Sequence, residues 1–393
     1  MASTVPDRPA TRLELGGPGT DEPARGRLLV INVRGFQRAD ALYRELAALG
    51  WDTTVLDITE PALLRWYALA RSFHPNLVRW RRRFERTANR LSRTAFAFKY
   101  RSRRYGRLIE RLGAPYDLIL QGGGMFAPGW PPPTFRYVIV CDCTVKLGEG
   151  EPLSGVDFAS AASARKWYAL ERMLYRSAGC VFSASDYVTR SLVGDYGVDP
   201  ARAVTVGEGS RLEASDGPTK HYDGKTILYV GYEFERKGGE VLLAAFEQVT
   251  AEIPDAELLI AGPSRLRGPV PRGVRLFGPV SRPDLPKLYA RASVFVMPSL
   301  FEPFGQVFLE AMEHELPCIG SDKCAMPEII VDGETGFLTP AGDARALAEK
   351  IIYLLRRPET MRSMGERGRE RARRSFTWRA VAQRIDARLV EVL

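Results

Sequence analysis

The sequence predicts an α/β protein built from two Rossmann-like, doubly wound domains that face one another across a cleft. Three observations carry this. The chain has 393 residues, too many for one ordinary hydrophobic core. Short apolar runs ending in glycine or proline alternate with amphipathic helical segments, as in a parallel sheet with crossover helices. The alternation also runs twice, on either side of a polar stretch with glycine and proline at 211–224, which reads as a linker.

Composition narrows the class. With 45% apolar and 26% charged residues, the chain is expected to be soluble and globular. No run approaches the roughly 20 apolar residues of a membrane span. Residues 1–26 lack the apolar core of a secretion signal, and their proline, glycine, threonine and charges predict a disordered leader. Cys141, Cys143, Cys180, Cys318 and Cys324 form neither an even set nor a zinc spacing, which points to a reduced, cytoplasmic setting. The net charge of +9 favours anionic partners.

The first domain is expected over 27–210. Residues 28–33 (LLVINV) read as a strand ended by a turn at Gly35, followed by a helix over 39–49 and a strand over 53–58. The turn lacks the spacing GxGxxG, so dinucleotide binding is not expected there. Residues 63–112 form a basic helical insertion. Between 79 and 111 there are thirteen Lys or Arg residues against Glu85 and Glu110, interleaved with Trp80, Phe84, Phe96, Phe98, Tyr100 and Tyr105. Three readings fit: a solvated arginine face over an ordinary core, a surface for anionic phospholipid or an anionic acceptor, or a nucleic-acid surface. No recognised nucleic-acid module accompanies the charge, so nucleic acid is not expected as a partner. Strands at 116–120 and 137–140 end in Gly122-Gly123-Gly124 and in Cys141-Asp142. Gly123 and Gly124 make either a permissive turn or a place where substrate nears the backbone, and Asp142 either faces substrate or caps a loop.

The second domain, expected over 225–375, repeats the pattern. Strands at 226–230, 258–261 and 274–277 are followed respectively by Glu233-Phe234-Glu235-Arg236-Lys237-Gly238-Gly239, by Gly262-Pro263, and by Gly278-Pro279-Val280-Ser281. Its centre is 294–320 (VFVMPSLFEPFGQVFLEAMEHELPCIG), a buried strand, a Pro/Gly loop and a helix from Gln306. Such a helix start offers unpaired N–H groups and a positive dipole end to an anion. Glu302 and Glu310 bracket it with seven residues between them. A nucleoside diphosphate sugar has matching polarity, with an anionic middle and hydroxylated rings at both ends. Arg236 and Lys237 either neutralise a departing diphosphate or form a surface basic pair. Glu302 and Glu310 either meet hydroxyls, Glu310 binding a vicinal diol such as a ribose, or are a loop acid and a helix surface acid. A helix over 376–393 is expected to cross back to the first domain.

Glu302-Pro303-Phe304-Gly305 with Glu310 resembles the E-x7-E element of the family 4 (group 1) retaining glycosyltransferases, which have the GT-B fold. Arg236-Lys237-Gly238, Gly262-Pro263, 278–281 and 332–338 (DGETGFL) fall in that family's order and spacing. The resemblance is strong over 226–349, weaker over 186–209 and faint before that. It implies that Glu302 contacts donor-sugar hydroxyls beside Phe304, Gly305, Gln306 and Val307. It further implies that Glu310 holds the ribose, that Arg236 and Lys237 meet the diphosphate, and that the base sits near Val280, with Gly262 and Pro263 also on the donor. The implied reaction is transfer with retention, the leaving phosphate accepting the acceptor's proton, with no metal or cofactor. Two departures stand out. Gly231-Tyr232 replaces the family's common Gly-Arg, and Cys141-Asp142 stands where many members carry a histidine, so Asp142 is a candidate for that sugar contact. Gly35, Gly123 and Gly124 are the acceptor-side candidates.

The expected activity is therefore metal-independent transfer of a hexose-type sugar from a nucleotide sugar to an acceptor that is a glycan, a lipid-linked molecule or a small natural product. The alternatives are a nucleotide-sugar epimerase or hydrolase on the same fold, and a basic binding protein without turnover. The expected location is the cytoplasm, with peripheral contact at the inner face of the membrane if 79–111 binds anionic lipid.

Overall fold

The computed structural model describes residues 11–15, 24–33, 40–113, 115–210, 220, 222 and 224–393. The chain divides into two compact units. The first comprises the described residues up to Gly207 with Val381–Leu393, and the second is Glu208–Ala380.

The first unit runs β1 (Thr11–Glu14), β2 (Gly26–Val33), α1 (Asp40–Ala48), β3 (Trp51–Ile58), α2 (Ala62–Ser72), α3 (Leu77–Ser92), α4 (Ala95–Arg111), β4 (Leu118–Gly122), β5 (Tyr137–Cys141), α5 (Ala161–Ser177), β6 (Val181–Ser183), α6 (Asp186–Gly194) and β7 (Ala203–Thr205). Its seven strands lie in the order β1-β3-β2-β4-β5-β6-β7. All pair in parallel except β1, which is antiparallel to β3 at the edge. Leu28, Leu29, Val30 and Ile31 of β2 are wholly buried, because helices cover both faces of a parallel sheet. Side-chain oxygens set the helix starts: Thr94 accepts from Ala97 N at α4, Ser160 from Ser163 N at α5, and Ser185 from Val188 N at α6.

The disordered leader expected over 1–26 is corrected in part. Arg12, Leu13 and Glu14 pair with Leu56, Val55 and Thr54 of β3. Leu13 is left 58% exposed, so main-chain pairing with an open sheet edge, not burial, holds this strand, and composition does not register it. The expected linker 211–224 falls largely outside the described residues. Its described members are tied to the second unit: Lys220 Nζ donates to Tyr289 O at 2.6 Å and to Ala290 O at 3.0 Å, and the Tyr222 hydroxyl donates to Glu315 O at 2.8 Å.

The second unit runs β8 (Thr226–Val230), α7 (Gly239–Glu252), β9 (Glu257–Ala261), β10 (Val274–Gly278), α8 (Leu285–Arg291), β11 (Val294–Met297), α9 (Gln306–Glu313), β12 (Cys318–Ser321), α10 (Met326–Ile329), β13 (Gly336–Thr339), α11 (Ala344–Leu355) and α12 (Pro358–Ser375). Its six strands are all parallel, in the order β10-β9-β8-β11-β12-β13. The first strand of the unit is thus central, and the order reverses between β8 and β11. Val294, Phe295, Val296 and Met297 are fully buried, each contributing on the order of 1.5–3 kcal/mol of apolar transfer free energy. Helix α13 (Trp378–Val392) begins in the second unit, and from Val381 onward its residues pack in the first.

Candidate functional site

In an open parallel sheet, ligands bind beyond the carboxyl ends of the strands where the order reverses, because the two flanking loops turn to opposite faces and leave a crevice. In the second unit that place is between β8 and β11. The β8 loop carries Arg236 and Lys237, the β11 loop carries Glu302, and the structure brings the three together. Lys237 Nζ lies 3.1 Å from Glu302 Oε2, and Arg236 Nη1 lies 3.4 Å from the same oxygen. Arg236 Nη1 also donates to Phe301 O at 2.6 Å, and Leu300 N donates to Arg236 O at 2.9 Å, which stitches the loops together. All three side chains are only 12–15% exposed. Burial disfavours the Arg236 charge, but hydrogen bonds and charges from Glu233 and Glu302 outweigh it and hold the guanidinium more firmly protonated than usual.

Two glycines start the helices that follow these loops. Gly238 precedes α7 with φ 72°, and Gly305 precedes α9 with φ 91°. A Cβ on Gly238 would stand 1.9 Å from the carbonyl oxygen of Pro298, so the two loops approach as closely as they do only because no side chain is there. Neither helix has a side-chain cap among the described residues. In the first turns, Gly239 N donates to Phe234 O at 2.7 Å and Phe308 N to Gly305 O at 3.0 Å, and the remaining N–H groups are the ones a further acceptor would meet.

Glu310 lies on the second turn of α9, is 5% exposed, and accepts a 2.9 Å hydrogen bond from the Tyr289 hydroxyl of α8. Tyr289 stacks on His314, whose Nδ1 lies 2.8 Å from Glu310 O. Phe304 is buried against Phe376, Val307 is half-buried, and Gln306 Nε2 donates to Gly209 O at 3.3 Å while its Oε1 makes no hydrogen bond. Two further buried oxygens on the crevice strand and loop, the Tyr229 hydroxyl of β8 and Ser299 Oγ after β11, also find no hydrogen-bond partner among the described residues. Gly262 follows β9, and a Cβ there would meet Gly231 O at 2.1 Å. Pro263 and Val280, after β9 and β10, are half-buried. Tyr232, in place of the family's arginine, is 68% exposed.

The first unit gathers the remaining candidates at the ends of β4 and β5. Gly123 adopts φ 76°, and a Cβ on Gly124 would be 2.5 Å from the Tyr175 hydroxyl. Cys141 points into the core, with Sγ 3.6 Å from that hydroxyl, while Asp142 is half-buried. Gly35 lies outside the described residues. A buried acid that the sequence did not single out sits under this loop. Glu171 of α5 is 1% exposed and accepts from the Tyr196 hydroxyl at 2.5 Å, the Tyr175 hydroxyl at 3.1 Å and Val145 N at 3.3 Å. Burial lifts its carboxyl to about 7, against the pull of those hydrogen bonds.

The family model described as glycosyl transferases group 1 matches residues 211–371, the segment that holds Arg236, Lys237, Glu302 and Glu310. That match falls within the second unit and covers less than half of the chain, so it is the second unit that is similar to the group 1 glycosyl transferases. A phosphatidyl-myo-inositol mannosyltransferase of Mycobacterium leprae is 36% identical over 170 residues, which are 41% of this chain and 45% of that protein. The chain thus aligns with about half the length of such curated relatives. Among solved structures, a sucrose-phosphate synthase from Thermosynechococcus elongatus aligns at TM-score 0.65 and 23% identity, covering 92% of this chain and 98% of that one. HepE of Anabaena, solved in complex with UDP-glucose, aligns at TM-score 0.61 and 15% identity, covering 93% and 100%. The fold is GT-B, with a Rossmann-like sheet in each unit.

Within the segment that the group 1 model matches, the residues singled out by the sequence lie in the two loops, and the buried hydroxyls of Tyr289 and Tyr229 do not stand out in it. Tyr289 lies 21 positions before its partner Glu310, inside a helix that reads as ordinary core. Tyr229 reads as a core strand residue, and only its hydroxyl, left without a hydrogen-bond partner, marks it out. The apolar run around Tyr229 hides a single polar atom.

Proposed function

We propose that the protein is a retaining glycosyltransferase that moves a sugar from a nucleoside diphosphate sugar to an acceptor hydroxyl without a metal. The observation that carries this is the cluster at the β8/β11 crevice, where Arg236 and Lys237 share Glu302 beside two helix starts without side-chain caps. A diphosphate placed there would meet two cations and those first-turn N–H groups of α7 and α9 that have no backbone acceptor among the described residues, such as Gln306 N and Val307 N. Glu302 would turn to the hydroxyls of the donor sugar. Glu310, held by Tyr289, would accept the ribose hydroxyls. The Tyr229 and Ser299 hydroxyls could find in ligand or water the partners they lack in the protein.

The bond from the anomeric carbon to the diphosphate breaks as that carbon bonds to the acceptor oxygen on the same face. The acceptor's proton passes to the departing phosphate oxygen, so no protein base is required. Arg236 and Lys237 stabilise the negative charge that grows on the leaving group, a kind of stabilisation in which removing one preorganised hydrogen-bond donor typically costs about 10²–10³ in rate. Asp142, Gly123 and Gly124 are proposed to line the acceptor side, and Val280, Gly262 and Pro263 the nucleotide side. The five free cysteines suit a reducing cytoplasm.

The test is a thermal-shift and hydrolysis panel of UDP-, GDP-, ADP- and dTDP-sugars on wild type, Glu310→Ala and Lys237→Ala. One nucleotide should raise the wild-type melting temperature strongly and that of Glu310→Ala weakly. Lys237→Ala should keep part of the shift and lose the slow release of free sugar. No shift with any nucleotide at millimolar concentration would overturn the donor-site assignment.

A further inference from the structure

Helices α2 and α3 pack on one another in the first unit, and what they leave outward is unusual. Leu63, Trp66, Tyr67, Phe73, Leu77 and Val78 are 51–73% exposed. Six of the fourteen large apolar side chains exposed among the described residues therefore fall within sixteen consecutive positions. Leu63, Trp66 and Tyr67 stand at i, i+3 and i+4, on the face of α2 opposite Leu64 and Ala68, which are buried. Helix α2 is thus apolar on two sides, only one of which is covered. Phe73 meets Trp80 of α3 edge-on at 5.8 Å, which carries the apolar surface across the turn.

Helix α3 has no buried residue. Its solvent side presents Arg79, Arg81, Arg82, Arg83 and Arg86, all exposed, and its single acid, Glu85, pairs with Arg81. Between 62 and 96 the chain has nine arginines and that one acid. Among the described residues no helix is long and apolar enough to cross a membrane, so a lipid contact here would lie in the plane of the surface.

We propose that α2 and the first turns of α3 dock this protein on an anionic lipid surface. In this arrangement Trp66, Tyr67, Leu63, Leu77 and Val78 enter the headgroup–acyl boundary and the α3 arginines meet lipid phosphates. Charge complementarity selects a negative partner. The aliphatic side chains select lipid over nucleic acid, which offers nothing for Leu63, Leu77 and Val78 to enter. The inference is independent of the donor-site reading, since it concerns a surface of the first unit and is measured without turnover.

The experiment is co-sedimentation of the full chain with phosphatidylcholine vesicles, with and without phosphatidylglycerol, at low and physiological salt. Wild type should sediment with the anionic vesicles only. Leu77→Asp combined with Trp66→Asp, and separately Arg82→Glu combined with Arg83→Glu, should each weaken retention roughly tenfold or more. All four side chains are exposed, so melting temperatures should stay near wild type. Brominated acyl chains should quench wild-type tryptophan fluorescence, which reads insertion without any substitution. Wild type left in the supernatant at low salt would overturn the proposal. So would retention unaffected by the aspartate pair together with absent quenching, because the attachment would then be adsorption by net charge.

Discussion

Tyr289 gives Glu310 its direction. A carboxylate on a helix that is 5% exposed must find hydrogen-bond donors, and the Tyr289 hydroxyl fixes one of its oxygens at 2.9 Å. Burial first, then the Glu310 charge, hold that hydroxyl protonated far above its usual range, so it donates at any working pH. Tyr289→Phe keeps the ring that stacks on His314 and removes only the donor. If Glu310 binds the ribose, nucleotide affinity in Tyr289→Phe should fall roughly tenfold or more, the worth of one hydrogen bond to a charged group, and the melting temperature should fall modestly because a buried carboxylate loses a donor. Isothermal titration with the nucleotide found in the panel measures it. An unchanged affinity would show that Glu310 is aimed by the helix alone. At this scale the sequence exposed what is local: Glu302, Gly305 and Glu310 announce themselves by spacing, and Arg236-Lys237 by charge. Tyr289 was hidden because the pairing joins two helices, and nothing in 285–291 (LPKLYAR) distinguishes a tyrosine that packs from one that also donates.

At the scale of elements, Glu171 ties α5 to the loop after β5. Val145 N donates to its carboxylate, and Lys146 N donates to the Tyr196 hydroxyl that donates in turn to Glu171. With its carboxyl raised from 4.5 to about 7, the folded protein keeps a proton through a pH window in which the unfolded chain has released it. The folded state then binds more protons than the unfolded one, so stability falls as pH rises from about 4.5 to about 7 and is flat for this group outside that window. Glu171→Gln should remove this slope, so the stability difference between variant and wild type should shift in the variant's favour between pH 5 and 7.5. Denaturant unfolding followed by tryptophan fluorescence at both pH values reads it, and parallel curves for the two proteins would sink the assignment. Strands and helices were largely readable here because a parallel sheet repeats its pattern. The edge strand β1 was not, since its cause is the open side of β3, and neither was the Glu171 cluster, whose members at 145, 171, 175 and 196 meet only once the sheet is formed.

For the whole molecule, two sheets with different reversal points define the layout: between β2 and β4 in the first unit, between β8 and β11 in the second. The repeated alternation predicted two units, but not which strands neighbour which, because strand order is settled by long-range pairing. Helix α13 adds a tie within the first unit. The Trp51 indole donates to Asp386 Oδ1 at 2.8 Å in a buried setting, and Arg25 Nη1 pairs with Asp386 Oδ2 at 2.5 Å. Asp386→Ala would leave the indole N–H buried and unpaired, at a cost of about 1–3 kcal/mol. Five of the six tryptophans lie in the first unit, so their fluorescence transition should move to lower denaturant, and an unmoved midpoint would refute the tie.

Val381–Leu393 complete the first unit, with Ile385 and Leu389 wholly buried in it. During synthesis, a ribosome must therefore release all of the second unit before the first can close. Until then Trp51 lacks its acceptor and the nascent first sheet waits with part of its surface uncovered. The second unit is the one that can mature on schedule, and the half with the arginine helices closes only after it.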